Sequence, residues 1–291
     1  MSYSLLSVPV TGGELAVGEW AGDRDTAVLA FHGVTASHVS WRAVARALAP
    51  SLVVAPDLRG RGGSRDLIGP FGMAQHADDG LRVLDSTGLD RVDVVGHSMG
   101  AFVALRFAER YPERVRSLTL VDGGIPLQLP EGVPILDIMK AALGPALARL
   151  EVVYPTRESY REFWRAHPAL GPDWNDDVEA YVDYDLVGEE PTQRSSASAE
   201  AALGDSLEQG TGTVAEEPWS RISTPITFLR APRGLLNEAP LYESDYLARF
   251  SAAHPNLRIV EVPDVNHYTI VMNPTGAGTV ADAISQGRHA Q

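Results

Sequence analysis

The stretch Gly96-His97-Ser98-Met99-Gly100 separates two segments that favour different secondary structures. Before it, residues 92–95 include three valines, which is typical of a strand buried on both faces of a parallel sheet. After it, residues 101–110 repeat apolar side chains with helical spacing. Glycine at both ends lets strand, turn and helix pack closely. The pattern predicts that Ser98 lies at the turn, with its hydroxyl exposed at the helix N-terminus, where developing negative charge is stabilised.

The segments around this turn predict a mostly parallel sheet with helices on both faces. Three strand-like segments open the chain, and strand-like and helical segments then alternate up to residue 121. From about 125 to 217 helical patterns rich in aromatic residues take over, with no strand-like segment among them. Residues 188–217 are rich in Ser, Gly, Glu and Thr, so we expect an exposed or mobile stretch there. Strand patterns resume at residue 226.

We therefore predict an α/β core that is split in sequence into residues 1–124 and 218–291, with a helical cap of residues 125–217 between the two parts. Ligands of open α/β sheets bind at the carboxyl ends of the strands, so the cap should cover the site that Ser98 enters. We take Trp41, Trp164 and Tyr184 as candidate substrate contacts. The alternative for the cap aromatics is that they fill the cap's own small hydrophobic core.

The composition narrows the classes of partner. The chain has 291 residues, of which 44% are hydrophobic, and a formal net charge of −14, which argues against nucleic acid and anionic membrane partners. The absence of cysteine excludes disulfides, thiolate metal sites and a cysteine nucleophile. No targeting segment or apolar run of the ~20 residues needed for a membrane span is present in the sequence. We expect a cytoplasmic protein and leave its oligomeric state open.

A serine hydroxyl is a weak nucleophile and needs a base, normally a histidine that is itself held by a carboxylate. Of the eight histidines, His267 is the best placed, because it follows the last predicted strand at the end of the sheet where Ser98 lies. Asp122 closes the strand beside that of Ser98 and gives the chain order Ser, Asp, His. Glu238, after the next strand, and Asp264, three residues before the histidine, are alternatives for the acid.

Acyl transfer also needs N–H donors for the oxyanion that forms when the serine attacks a carbonyl group. Met99 follows the nucleophile and offers one backbone N–H at the helix N-terminus. The loop after the third strand turns at Gly33, so Val34 is the candidate for the second donor.

Together these motifs make the chain similar to the α/β-hydrolase superfamily. The resemblance implies an eight-stranded, mostly parallel sheet, a cap inserted after strand six, and a Ser-His-acid mechanism without a cofactor. Many members carry the acid after strand seven, where this chain reads Ala231-Pro232-Arg233-Gly234 and has no carboxylate. Members resembling haloalkane dehalogenases carry the acid after strand six instead, which is the position of Asp122 in this chain. The matching residues are His32-Gly33-Val34, Asp57-Leu58-Arg59-Gly60-Arg61-Gly62-Gly63-Ser64, Gly96-His97-Ser98-Met99-Gly100, Leu120-Val121-Asp122-Gly123 and Asn266-His267.

These observations predict a serine hydrolase that acts on a carboxylic ester or a related small acyl compound. Dehalogenase and epoxide hydrolase chemistry are disfavoured, because the similar family members with those activities use an aspartate at the position that Ser98 occupies here. One alternative is a carbon–carbon bond hydrolase of ring-cleavage products, for which Arg157, Arg161 and Arg165 are candidate anion contacts. Another is a non-catalytic ligand-binding member of the fold. No cofactor or metal motif is present in the sequence, so we expect neither.

Overall fold

The computed structural model describes residues 1–128, 132–133, 135–209 and 216–288, and its framework is one eight-stranded sheet. The strands of this sheet are β1 (Tyr3–Val10), β2 (Gly13–Trp20), β3 (Asp23–Phe31), β4 (Ser51–Pro56), β5 (Val92–His97), β6 (Val115–Val121), β9 (Ile226–Arg230) and β10 (Leu257–Glu261). Across the sheet their order is β1-β2-β4-β3-β5-β6-β9-β10.

The sheet is parallel except at β2, which runs antiparallel to both β1 and β4. Every residue of the central strand β5 is buried, as a strand covered on both faces should be. The prediction of an α/β fold with a mostly parallel eight-stranded sheet is confirmed. Because β3, β5 and β6 are adjacent and parallel, the loops that follow them meet at one edge of the sheet.

Helices cover both faces of the sheet and form a hydrophobic core on each. Leu29 and Phe31 of β3 point into one core, while Val28 and Ala30 point into the other. None of the described helices combines the length and hydropathy that crossing a bilayer requires. The helices are α1 (Arg42–Ala47), α2 (Met73–Thr87), α3 (Met99–Arg110), α4 (Ile135–Ala148), α5 (Arg157–Arg165), α6 (Asp176–Asp185), α7 (Ala199–Gln209), α8 (Ser244–Ala253), α9 (Thr269–Met272) and α10 (Pro274–Arg288).

The segment between β6 and β9, residues 122–225, is called the insertion below, and it holds α4 to α7. The expectation that it lacks strands is wrong: β7 (Leu186–Val187) pairs antiparallel with β8 (Arg194–Ser195). Two-residue strands are too short to produce an alternating pattern in the sequence. The cap boundaries at 125 and 217 stay a prediction.

The expectation of an exposed tract at residues 188–217 is also wrong for α7. Ala201, Ala202 and Asp205 are buried on this helix, which packs against α2 and α3. Small alanines allow the close approach, and Asp205 is tolerated in the interior because charged partners surround it. Residues 210–215 of the tract lie outside the described residues.

The turn between β5 and α3 is crowded by backbone on every side. Ser98 has φ 55° and ψ −123°, a strained conformation for a residue with a side chain. A Cβ on Gly96 would lie 2.0 Å from the Gly100 carbonyl oxygen, and one on Gly100 would lie 2.1 Å from that of Phe31. Glycine is therefore required at both positions, because a side chain at either one would clash with backbone. Backbone cannot move aside as a flexible side chain can.

This crowding predicts a large loss of stability for Gly100→Ala. We expect the free energy of unfolding to fall by about 3 kcal/mol or more, because the added methyl group must displace the end of β3. Gly278→Ala in α10 is the matched control, since no described atom beyond its own turn of helix lies within 4 Å of the added Cβ, and it should gain about 0.5–1 kcal/mol from helix propensity. Urea denaturation of the two variants measures both effects, and equal stabilities would contradict the crowding argument.

Candidate active site

Ser98 opens into a small cavity where the segments that follow β3, β5, β9 and β10 meet α6 of the insertion. The cavity has a volume of about 20 Å³, room for about one water molecule. The Ser98 hydroxyl has no hydrogen-bond partner among the described residues, so it is free to turn towards a base or a ligand. The described residues that line the cavity are Gly33, Val34, Thr35, Ala36, His97, Ser98, Tyr181, Leu235, His267, Tyr268 and Met272.

His267 and Asp122 form a buried pair at this cavity. His267 Nδ1 lies 2.7 Å from Asp122 Oδ2, and the side chains are 2% and 0% exposed. The other carboxylate oxygen, Oδ1, accepts a hydrogen bond of 3.1 Å from the Ala231 N–H. A carboxylate at Nδ1 holds the neutral ring in the tautomer whose Nε2 can accept a proton. The glycine after the aspartate, Gly123, approaches the serine so closely that its Cβ would lie 2.2 Å from the Ser98 carbonyl oxygen.

The two alternative acids lie elsewhere. Glu238 and Asp264 are exposed, and neither side chain bonds to His267 within the described chain. Asp264 contributes its backbone carbonyl to Arg233 Nη2 at 3.0 Å instead. Asp122 is therefore the carboxylate in contact with the predicted base.

Val34 and Met99, the predicted oxyanion donors, are both buried beside Ser98. Val34 lines the cavity with the serine, and Met99 is the first residue of α3. No described residue accepts a hydrogen bond from either backbone N–H. Unpaired N–H groups at a helix N-terminus and in an adjoining loop are the arrangement that binds a developing oxyanion.

His97 is a cavity residue for which the sequence suggested no role. Its Nε2 lies 2.7 Å from the carbonyl oxygen of His267, so this nitrogen carries the proton and donates. Its ring centroid is 4.8 Å from that of His267. Burial, and then the neighbouring His267, lower the pKa of His97 well below 6.5. A neutral His97 supports the His267 loop without opposing a positive charge on the His267 ring.

The predicted substrate contacts do not line the described cavity. Trp41 is fully buried in the core shared with α1 and α10. Trp164 belongs to the core of the insertion, where its ring lies 5.0 Å from the Arg149 guanidinium. The Tyr184 hydroxyl donates to Asp57 Oδ2 at 2.6 Å. Tyr181, three residues earlier on α6, lies at the cavity instead, a difference that helical spacing alone does not resolve.

Buried carboxylates near the site are bonded in pairs rather than clustered. Asp57 lies 2.8 Å from His38, and Asp79 receives two hydrogen bonds from Arg59. In the part of the chain that the structure describes, no group of three or more His, Asp or Glu side chains is arranged to hold a metal ion.

The family model for the alpha/beta hydrolase fold matches residues 26–170. The chain belongs to the α/β-hydrolase superfamily. The match covers residues 33–36, Ser98 and Asp122.

Individual relatives within the α/β-hydrolases match only part of the chain. Lipase LipV of Mycobacterium tuberculosis is 35% identical over 127 residues, 43% of this chain and 48% of that protein. The 2-hydroxymuconate semialdehyde hydrolase of Pseudomonas sp. strain CF600 is 39% identical over 104 residues, 35% of this chain and 36% of that enzyme. The chain thus matches less than half the length of either. The crystal structure of E-2-(acetamidomethylene)succinate hydrolase superposes with a TM-score of 0.81 at 20% identity, covering 99% of this chain and 100% of that one.

His32 is buried next to the loop of residues 33–36, and its environment predicts a pH dependence of stability. Its Nδ1 donates to the Gly33 carbonyl at 2.8 Å and its Nε2 accepts from the Leu58 N–H at 2.9 Å, so a proton on Nε2 would face a donor. Burial lowers the pKa of His32 to about 4. Between pH 6.5 and 4 His32 is therefore protonated in the unfolded chain but neutral in the folded chain. The free energy of unfolding falls as the pH falls through this window.

We expect His32 alone to remove about 3 kcal/mol of stability between pH 7 and pH 4. His32→Gln keeps a donor and an acceptor without titrating, so its free energy of unfolding should depend less steeply on pH. Urea denaturation of both proteins at pH 7, 6, 5 and 4.5 measures the slopes. Parallel slopes would show that His32 is not held neutral.

Proposed function

We propose that the chain is a serine hydrolase that cleaves small carboxylic esters through Ser98, His267 and Asp122. The observation that carries the proposal is the buried contact of 2.7 Å between His267 and Asp122, at the cavity that Ser98 lines. Family membership supports hydrolytic chemistry, since the two relatives described above are named as a lipase and a hydrolase. In this proposal residues 125–217 of the insertion form the cap over the site.

In the proposed reaction His267 Nε2 removes the proton of the Ser98 hydroxyl as its oxygen attacks the ester carbonyl carbon. Asp122 stabilises the imidazolium that forms, and the N–H groups of Val34 and Met99 receive the oxyanion. Collapse of the tetrahedral intermediate passes the proton from His267 to the leaving alcohol and leaves an acyl-serine. His267 then takes a proton from water, whose oxygen attacks the acyl carbon. As this second intermediate collapses, His267 returns the proton to the Ser98 oxygen and the carboxylic acid is released.

The cavity favours a short, uncharged acyl group. It has room for about one water molecule, so a long acyl chain would have to push its walls apart. Its wall includes Tyr181, Leu235, Tyr268 and Met272, which offer apolar surface. No arginine lines the described cavity to receive a substrate carboxylate.

The arginines considered for a carbon–carbon bond hydrolase are already engaged with acids. Arg161 forms hydrogen bonds of 2.8 and 2.6 Å to Asp183, and Arg157 lies 3.8 Å from the same carboxylate. Arg165 bonds to Glu158, and its guanidinium lies 4.8 Å from the Trp174 ring centroid. These contacts occupy a partly exposed surface of α5, which supports the ester proposal over an anionic ring-cleavage substrate.

Removal of any member of the triad should abolish ester hydrolysis. We expect Ser98→Ala, His267→Gln and Asp122→Asn each to lower kcat for p-nitrophenyl acetate by about 10³-fold or more, with the fold retained by circular dichroism. Glu238→Gln is the matched control for the acid and should keep wild-type kcat. Activity that survives in Asp122→Asn but not in Glu238→Gln would show that Glu238, and not Asp122, is the acid of the triad. A folded wild type no faster than Ser98→Ala would refute ester hydrolysis and leave ring-cleavage substrates or ligand binding.

The small cavity makes a separate prediction about acyl length. In a series of p-nitrophenyl esters, kcat/KM should be highest for acetate or propionate and fall by about tenfold or more at octanoate, because the longer acyl chain must open the site. Steady-state kinetics across the series measures this preference. A maximum at octanoate or longer would contradict the assignment of this cavity as the acyl site.

A further inference from the structure

Two buried arginines hold consecutive carbonyl groups of the oxyanion loop, residues 33–36. Arg61 Nε donates to the Val34 carbonyl oxygen at 2.9 Å, and Arg149 Nη2 donates to that of Thr35 at 2.7 Å. The Gly33 carbonyl accepts from the Ala36 N–H at 3.1 Å. Every carbonyl from Gly33 to Thr35 thus has a fixed partner, while the Val34 N–H between them has no acceptor among the described residues.

Each arginine is in turn bound to a buried aspartate of the insertion. Arg61 Nη1 lies 2.7 Å from Asp205 on α7, and both side chains are 0% exposed. Arg149 Nη2 lies 3.2 Å from Asp185 at the end of α6. Arg61 belongs to the core, in the loop after β4, whereas Arg149 belongs to the insertion. Two separate contacts therefore run from the insertion to the same four-residue loop.

Asp205 keeps its negative charge at any pH at which an esterase would work. Burial alone would raise the pKa of Asp205, but His76 and Arg61 lower it to about 2. Asp205 also accepts from the Gly72 N–H at 2.7 Å, and Asp185 accepts from the hydroxyls of Ser195 and Ser196, each at 2.8 Å. Both carboxylates are thus held in one orientation, and each orients its guanidinium.

Stability alone does not require such pairs. Replacing a buried ion pair by apolar side chains of similar volume is often neutral for folding, because desolvation offsets the attraction between the charges. What an apolar pair lacks is direction: it cannot donate to a carbonyl oxygen. The distinctive contribution of Arg61 and Arg149 is therefore the orientation of the peptide groups on which the Val34 N–H depends.

We propose that Arg61 and Arg149 are positioning residues for the oxyanion hole, and that Asp205 and Asp185 make its geometry depend on how the insertion is seated on the core. This inference rests on the proposed function, because it assigns the Val34 N–H to the oxyanion. In an active site, a displacement of about 1 Å in a supporting group costs about 10²-fold in rate. Loss of either the hydrogen bond from Arg61 to Val34 or the one from Arg149 to Thr35 should therefore lower the rate of acylation more than it weakens substrate binding.

The chain contains a matched control for this test. Arg59 and Asp79 form another buried pair, joined by hydrogen bonds of 2.6 and 2.8 Å, only two residues away from Arg61 in sequence. The Arg59 side chain makes no hydrogen bond to the oxyanion loop in the described chain; its remaining contact is with the Gly69 carbonyl, at 3.4 Å. The test variant is Arg61→Met/Asp205→Asn and the control variant is Arg59→Met/Asp79→Asn, so both lose a buried arginine–aspartate pair through the same substitutions. Asp205 also contacts His76 Nε2 at 3.0 Å, and the single variant His76→Gln shows what the loss of that contact contributes.

We expect kcat for p-nitrophenyl acetate to fall by about 10–100-fold in the test variant, with KM within about threefold of wild type and less than about threefold change in the control. Hydrogen–deuterium exchange of peptides spanning residues 32–37 gives a second readout that needs no activity. Exchange at the Ala36 N–H, which closes the turn, should accelerate in the test variant and not in the control. Equal kinetics and equal exchange in the two variants would overturn the proposal.

Arg149 gives an independent arm if the test variant does not fold. Arg149→Lys keeps a donor and a charge near the Thr35 carbonyl and should retain more kcat than Arg149→Met at similar thermal stability; equal losses would count against positioning. Failure of the two proposals can be told apart. If the wild type hydrolyses no ester but exchange in residues 32–37 still responds selectively, the hold on the loop stands and the ester function falls. If the wild type is an esterase and neither arm responds, only the positioning inference falls.

Discussion

Three segments of main chain are in contact around Ser98, and this crowding decides which other residues can reach the serine. The end of β3 touches Gly100 and so brings the loop with Val34 to one side of the serine. The end of β6 touches Ser98 through Gly123 and so brings Asp122 to the other. A side chain at any of these glycines would separate the parts. The site therefore depends first on backbone contacts and only then on the chemistry of its side chains.

Electrostatic balance is the second requirement of this site. Burial beside the site also holds His32 and His97 in their neutral forms, with pKa values below 6.5. The guanidinium groups nearby are matched by carboxylates, as in the pair of Arg61 and Asp205. The proposed mechanism adds one transient imidazolium and one oxyanion to this environment. Neutral histidines and paired charges leave the stabilisation of those two species to Asp122 and to the backbone N–H groups.

Much of this arrangement could be predicted from the sequence, because the residues that form it are marked by local patterns in the chain. The elbow is a strand, two glycines and a helix in one run, and Asp122 and His267 each follow a strand whose place in a parallel sheet can be inferred. Long-range packing was out of reach. Which tyrosine of α6 meets the cavity depends on how the insertion is docked, and the burial of Asp205 depends on Arg61 and His76, more than 120 positions earlier. Neither relation leaves a periodic pattern.

The pairing of Arg61 with Asp205 has a consequence for how such proteins diversify. One partner belongs to the core and the other to the insertion, so recombination that exchanges insertions between relatives would separate them. A core that kept Arg61 but received an insertion without the acid would bury an uncompensated cation, a change that typically costs about 3–5 kcal/mol. Grafted insertions would therefore be tolerated mainly when they bring a carboxylate to this position, and chimeras chosen only for a matching hydrophobic surface would misfold or lose activity.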